Sequence, residues 1–135
     1  MSVEWSKKLE IGIPEIDIQH RRLLDLLNEV QREAQMAAPS FQALDDVFDA
    51  LEQYVTTHFH DEEALMQRVG YDFFDHHKQE HLDLVAQVEE KRRAYFRGEL
   101  DAITMHQWLL HWLIGHIAGS DTLIATFMAK QAAAE

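Results

Sequence analysis

A chain of 135 residues, 47% of them hydrophobic, is long enough for one domain with a real core and too apolar to be a disordered segment. Its 24 acidic residues outnumber 12 basic ones, and the formal net charge of −12 repels phosphate, which argues against a nucleic-acid or anionic-membrane partner. Cysteine is absent, so disulfides, iron–sulfur clusters and thiolate zinc sites are excluded.

The opening MSVEWSKKLEIG lacks a basic start followed by an apolar run, so no secretory signal is read there. No stretch approaches the roughly 18 uninterrupted apolar residues of a membrane span. The expectation is a cytoplasmic chain without membrane insertion, forming a single domain over residues 1–135. An N-terminal arm carries Val3, Trp5, Ile11 and Ile13, which are expected to pack across the body of the protein. A first helix is expected from about Asp17, as N-cap, to about Ala37, with Leu23, Leu24, Leu27 and Val30 on the face that also holds His20. Pro39 and Ser40 end it and cap the next.

The second segment has the clearest pattern. Phe41, Leu44, Phe48, Leu51, Val55, His58, Glu62, Leu65 and Val69 alternate steps of three and four, the stripe of a bundle helix, and Gly70 stops it. A third helix is expected from about Phe74 to Arg97, closed by Gly98, with the stripe Phe74, His77, His81, Leu84, Val88 and Tyr95. A fourth starts near Asp101 and carries Ile103, Leu109, Leu110, Leu113, His116, Ile117, Leu123, Ile124 and Phe127. Four long helices with short connections predict an all-α, up-down-up-down four-helix bundle with the N-terminal arm laid over it.

The chain has nine histidines, and several sit inside these apolar seams. His20 lies on the first helix, His58 and Glu62 on the second, His77 and His81 on the third, and His116 and Asp121 on or near the fourth. Pairs four apart share a helix face, with β-carbons about 5–6 Å apart, close enough to share one metal or bridge two. Burying so many polar groups unpaired would cost about 1–3 kcal/mol each, against a typical domain stability of about 5–15 kcal/mol. Metal ligation compensates, because neutral imidazole and carboxylate are natural donors. Five histidines and two carboxylates are too many for one ion and suit two ions bridged by the carboxylates. Zinc, which usually takes four ligands, fits seven ligands around two sites poorly.

His116 and Asp121 are five apart, about 140° round an ideal helix, and should not share a face. A wider π turn would realign them, so a distorted fourth helix is expected near residues 115–121, with Gly115 and Gly119 easing the deformation. The remaining histidines, His60, His76, His106 and His111, are expected at the surface or behind the ligands.

These motifs stand as IDIQHRRL, HFHDE, HKQEH and HIAGSD, that is, a lone histidine, then H-x-x-x-E, H-x-x-x-H and H-x-x-x-x-D. The pattern resembles the hemerythrin family over essentially the whole chain, and the opening W-S-x-x-L-x-I-G-I-x-x-I-D resembles its bacterial members in particular. The chain departs from the family where Thr122, Leu123 and Ile124 follow the aspartate, since members often carry an aromatic residue there. The resemblance implies two iron ions cycling between Fe2+ and Fe3+ with an oxo or hydroxo bridge. His77, His81 and His116 would hold one iron and His20 and His58 the other, with Glu62 and Asp121 bridging. Counting donors leaves one open position, at the iron of His20 and His58, where dioxygen would bind reversibly. Leu113, one turn before His116, falls where the family tends to place a pocket-lining leucine, and Trp112, Phe59 and Met66 are candidate walls.

The function implied is reversible dioxygen binding for carriage, storage or delivery, without catalysis, by a monomer with an oxygen-consuming enzyme as a candidate partner. The alternatives are a di-iron oxidase, peroxidase or nitric oxide reductase, or an oxygen or iron sensor acting through a partner protein. Ferritin-like di-iron enzymes use carboxylate-rich sites with paired Glu-x-x-His motifs, which this histidine-rich chain lacks. A sensor needs an output module, for which 135 residues leave no room.

Overall fold

The computed structural model describes residues 4–36, 38 and 40–134. A short 3₁₀ turn, Lys7–Leu9, interrupts the N-terminal arm. Helices follow at Pro14–Ala34 (α1), Phe41–Val69 (α2), Phe74–Phe96 (α3), Ala102–His116 (α4) and Thr122–Ala134 (α5), with a π turn, Ile117–Asp121, joining the last two into one long run. The result is a four-helix bundle, and no strand occurs among the described residues. Ion pairs fix the direction of neighbours: Arg92, near the end of α3, reaches Asp45 and Asp49, near the start of α2, at 2.7 and 2.8 Å, so these helices run antiparallel.

Local chemistry sets the boundaries. Helix α1 begins at Pro14 rather than at the expected Asp17. Proline suits the first helical position, because its fixed φ is already helical and its missing N–H would have had no partner there. The Asp17 carboxylate instead accepts from the Ile11 and Gly12 amides, at 2.9 and 3.2 Å, and ties the arm to the first turn. The helix ends at Ala34, short of the expected Ala37; Ala37, Pro39 and the arm's Val3 lie outside the described residues. Ser40 caps α2 as expected, its hydroxyl accepting from the Ala43 amide at 3.1 Å. Gly70, at φ +70°, closes α2 in the left-handed conformation that only glycine adopts without strain. The Tyr71 amide then reaches back to the Met66 carbonyl at 2.9 Å, and both side chains pack in the same apolar cluster. Asp101 caps α4 through the Thr104 amide at 2.7 Å.

The buried apolar side chains form two clusters. The larger runs from Leu23 through Val30 on α1, Leu44 through Phe59 on α2, Val88 on α3 and Met105 through Ile117 on the fourth run. Trp5, Leu9 and Ile11 of the arm cover it. The smaller joins Ile13, Ile16, Leu65, Met66, Tyr71 and Ile124. Several polar seam residues fall where the chain passes from one cluster to the other: His20 between Ile16 and Leu23, Glu62 between Phe59 and Leu65, and Asp121 between Ile117 and Ile124.

Three apolar seam residues face water instead. Phe41, Ile103 and Leu123 are 67%, 60% and 59% exposed. Phe41 and Ile103 sit in the first turns of α2 and α4, where Phe41 keeps only an edge contact with Phe96 at 6.2 Å. Leu123 follows the π turn, which resets the helix register by one residue and brings Ile124 into the core, fully buried. No helix among the described residues is long and apolar enough to cross a membrane.

Candidate metal centre

The seven polar seam residues converge in one layer between the two apolar clusters, and each is at most 4% exposed. Regular helix geometry delivers His58 with Glu62 and His77 with His81, four apart on α2 and α3. The π turn delivers the fourth-run pair, spending its extra residue to swing Asp121 onto the face of His116. The predicted distortion of this helix therefore lies at Ile117–Asp121. Sterically, the turn does not require glycine at 115 or 119. Neither has a positive φ, and a Cβ at either would meet nothing within 4 Å.

The two carboxylates sit at the centre with their oxygens divided. Glu62 Oε1 faces His77, His81 and His116 Nε2 at 2.8, 3.0 and 3.5 Å. Its Oε2 faces His58 and His20 Nε2 at 3.1 and 4.0 Å. Asp121 repeats the division. Oδ1 faces His116 and His77 at 3.0 and 3.3 Å, and Oδ2 faces His20 and His58 at 2.7 and 3.9 Å. Two donor sets result, each with all its atoms within 4.8 Å of one another: Glu62, His77, His81, His116 and Asp121 in one, and His20, His58, Glu62 and Asp121 in the other.

Not all of these close pairs are hydrogen bonds. His58 Nε2, His116 Nε2, Glu62 Oε2 and Asp121 Oδ1 are fully buried and have no partner in hydrogen-bond geometry. The two nitrogens lie about 3 Å from a carboxylate oxygen without hydrogen-bond geometry, close enough for a cation between them to be shared. Four such orphans in one layer would each cost about 1–3 kcal/mol. Cations held there satisfy all four, and imidazole nitrogen and carboxylate oxygen are suitable donors. The residues present thus fit a pair of metal ions.

The electrostatics describe the protein part alone. Burial would raise the Glu62 carboxyl, but the imidazoles of His116, His58, His77 and His81 around it hold it well below the usual range. Burial opposes charge on His77, yet Asp121 and Glu62 push it up to about 9. His116 is raised well above its ordinary value by Asp121, Glu62 and Glu80 against the same burial. Without a cation, protons on these imidazoles neutralise the carboxylates; a metal takes over that role by displacing them.

The centre has outer partners that the seam pattern did not reveal. His58 Nδ1 lies 2.7 Å from Gln19 Oε1, and the Gln19 amide donates to Asp61 Oδ2 at 2.8 Å. His81 Nδ1 lies 2.8 Å from Glu63 Oε2. His116 Nδ1 is 3.5 Å from Glu80 Oε1, which also accepts from the Ser120 hydroxyl and is drawn down to about 2, first by His116. Gln19, Glu63 and Glu80 each adjoin a seam residue in sequence. A step of one along a helix turns 100°, so a polar neighbour of a seam residue sits at the flank of the seam, and that was the legible signal.

The candidate pocket residues divide. Phe59 stacks on His81, with centroids 3.8 Å apart and planes at 4°, and lies 5.6 Å from His58 and 5.2 Å from His116. Trp112 is edge-on to Phe59 at 6.3 Å, and Leu113 is buried in the same larger cluster. Met66 belongs to the smaller cluster on the other side of the polar layer. Of the remaining histidines, His60, His76 and His111 are exposed. His106 departs from expectation: it is 4% exposed, its Nε2 has no partner among the described residues, and burial lowers its pKa. It lies ten residues before His116, about 15 Å along the helix, too far to serve the centre.

Comparison with known proteins agrees with this geometry. The profile of the family described as the Hemerythrin HHE cation binding domain matches residues 11–127. The chain is 37% identical over 123 residues to a bacteriohemerythrin of Stenotrophomonas maltophilia, covering 90% of this chain and 78% of that one. It is 32% identical to a bacteriohemerythrin of Methylococcus capsulatus, covering 79% and 81%. Among solved structures, wild-type hemerythrin superposes with a TM-score of 0.80 at 28% identity, covering 93% of this chain and 97% of that one.

Proposed function

The chain belongs to the hemerythrin family of metal-binding four-helix bundles, and from that premise we propose that it binds dioxygen reversibly at a centre of two iron ions, as a carrier or store rather than an enzyme. In this reading His77, His81 and His116 hold one iron, His20 and His58 the other, and Glu62 and Asp121 bridge them. The observation that carries it is the division of carboxylate oxygens, one of each pair facing each histidine set.

Two irons held there would supply the redox chemistry needed to capture dioxygen. What the chain's own residues do follows from their donors. One position receives three imidazoles and two carboxylate oxygens, and the other two imidazoles and two carboxylate oxygens. With fewer protein donors, the His20 and His58 position would be the one with room for an external ligand. Reversible capture further requires that protons and bulk water be kept away. Phe59, Trp112 and Leu113, all buried, supply an apolar wall over the layer. The single-domain reading, a cytoplasmic location, a monomeric state and delivery to an oxygen-consuming enzyme complete the proposal.

The test is a visible spectrum of the iron-loaded protein, reduced without air, exposed to air and then evacuated, with iron content measured in parallel. The proposal predicts two irons per chain, and a band that appears in air and vanishes under vacuum. Immediate irreversible oxidation would move the function to an oxidase, peroxidase or sensor on the same centre.

A further inference from the structure

Behind the donor atoms, the two positions are supported by different chemistry. On the three-histidine side, two of the three outward nitrogens meet carboxylates: His81 Nδ1 is 2.8 Å from Glu63, and His116 Nδ1 is 3.5 Å from Glu80. Glu80 is held in place by the Ser120 hydroxyl, inside the π turn that also carries Asp121. On the two-histidine side no carboxylate among the described residues touches an imidazole from behind. His58 Nδ1 meets the neutral amide oxygen of Gln19 at 2.7 Å, with Asp61 one hydrogen bond further out. His20 Nδ1 is buried with no hydrogen-bond partner among the described residues.

The consequence is chemical. An imidazole that ligates through Nε2 carries its proton on Nδ1 and must donate it outward. A carboxylate acceptor forms a charge-assisted bond, about twice as strong as one to a neutral acceptor. It draws the proton outward and makes Nε2 a richer donor to a cation. An amide oxygen does this weakly, and an unpartnered Nδ1 not at all. Glu63 and Glu80 also place two negative charges against one position and none against the other. Their side chains are 21% and 33% exposed, so much of this field is retained rather than screened.

We propose that these outer partners grade the two metal positions: Glu63 and Glu80 make the His77, His81 and His116 position the tight one, filled first and emptied last, while Gln19 and the unsupported His20 leave the other position weak. The inference rests on the two-metal reading above and adds to it an order of loading and a residue basis for that order. The weakly held ion is then the one with room for an external ligand, and it is the first lost when the protein is stripped.

The experiment is an anaerobic Fe2+ titration of the full chain against a competing chelator, for the wild type and for Glu63→Gln, Glu80→Gln and Gln19→Glu. The melting temperature of each metal-free protein is recorded to establish that it folds. The wild type should take up two ions in two resolved steps. Each glutamate substitution should weaken the first step by about 10-fold or more, the scale of outer-partner loss at metal sites, and leave the second within about 2-fold. Gln19→Glu should tighten the second step alone. Should the glutamate substitutions leave both steps as in the wild type, or weaken both equally, the grading is wrong. It is equally wrong if a folded Gln19→Glu protein shows no tightening. Uptake of fewer than two ions by the wild type would instead overturn the two-metal reading, whereas two ions in a single unresolved step would overturn only the grading.

Discussion

Helix α2 and the fourth helical run each bring one histidine and one carboxylate to the polar layer, by different geometry. In α2, His58 and Glu62 are four apart and the helix runs unbroken from Phe41 to Val69. In the fourth run, His116 and Asp121 are five apart, and the backbone widens into a π turn at Ile117–Asp121 to bring them together. Side chains cover what the widening exposes: the Thr122 hydroxyl donates to the Ile117 carbonyl at 2.8 Å, and Ser120 donates to Glu80. A spacing of four is therefore free within a regular helix, whereas a spacing of five must be built into the backbone and supported locally.

The largest expected effect comes from removing either bridging carboxylate. Glu62→Ala and Asp121→Ala should each reduce bound iron from two ions to at most one per chain, read by elemental analysis after desalting. Equal losses from the regular and the widened helix would mean that the two carboxylates are equivalent bridges despite their different backbones. Next in size is insertion of one alanine between Asp121 and Thr122, which turns the following segment by about 100° and takes either Asp121 out of the centre or the fully buried Ile124 out of the core. The expected result is loss of the metal pair together with about 2–5 kcal/mol of stability, measured by denaturant unfolding of the metal-free protein. Wild-type stability with two bound ions would show that the run absorbs a second extra residue and that its register is not fixed.

Carboxylates from both helices act on His77, which makes pH a probe of their combined field. His77 is raised from 6.5 to about 9 by Asp121 and Glu62, against burial. A group whose folded pKa is raised stabilises the fold fully below its unfolded value and loses that contribution as pH climbs through the folded one. Metal-free protein should therefore lose up to about 3 kcal/mol between pH 6.5 and pH 9. Iron binding should tighten over the same interval, because protons must leave the imidazoles first. Melting curves of stripped and loaded protein at pH 6 and pH 9 check both signs. The smallest effect is expected from Gly119→Ala. A Cβ there meets nothing within 4 Å and the φ is not positive, so the change should be neutral or stabilising by about 0.5–1 kcal/mol. Loss of stability would restore glycine flexibility as the cause of the π turn.

Most of this arrangement could be read from residue spacing. Helix periodicity located all four runs, and polar residues inside apolar seams singled out the seven that the fold gathers into one layer. Their odd fourth-run spacing located the backbone distortion as well. Helix α1 starts at Pro14 rather than at Asp17, a good N-cap by type, because the proline's fixed φ already suits the first helical position. Phe41, Ile103 and Leu123 were assigned to the core because periodicity reports a face and not whether a neighbour covers it. Burial of His106 is likewise set by neighbours that its own helix pattern does not contain. The outer partners Gln19, Glu63 and Glu80 were missed because partner choice depends on which flank of one helix meets the next, a tertiary fact.

The most direct measurement is anomalous diffraction at the iron edge from crystals of the iron-loaded protein. The account predicts two peaks per chain, about 3–4 Å apart, one beside His77, His81 and His116 and the other beside His20 and His58, with Glu62 and Asp121 each contacting both. A single peak, or two peaks not joined by these carboxylates, would contradict it.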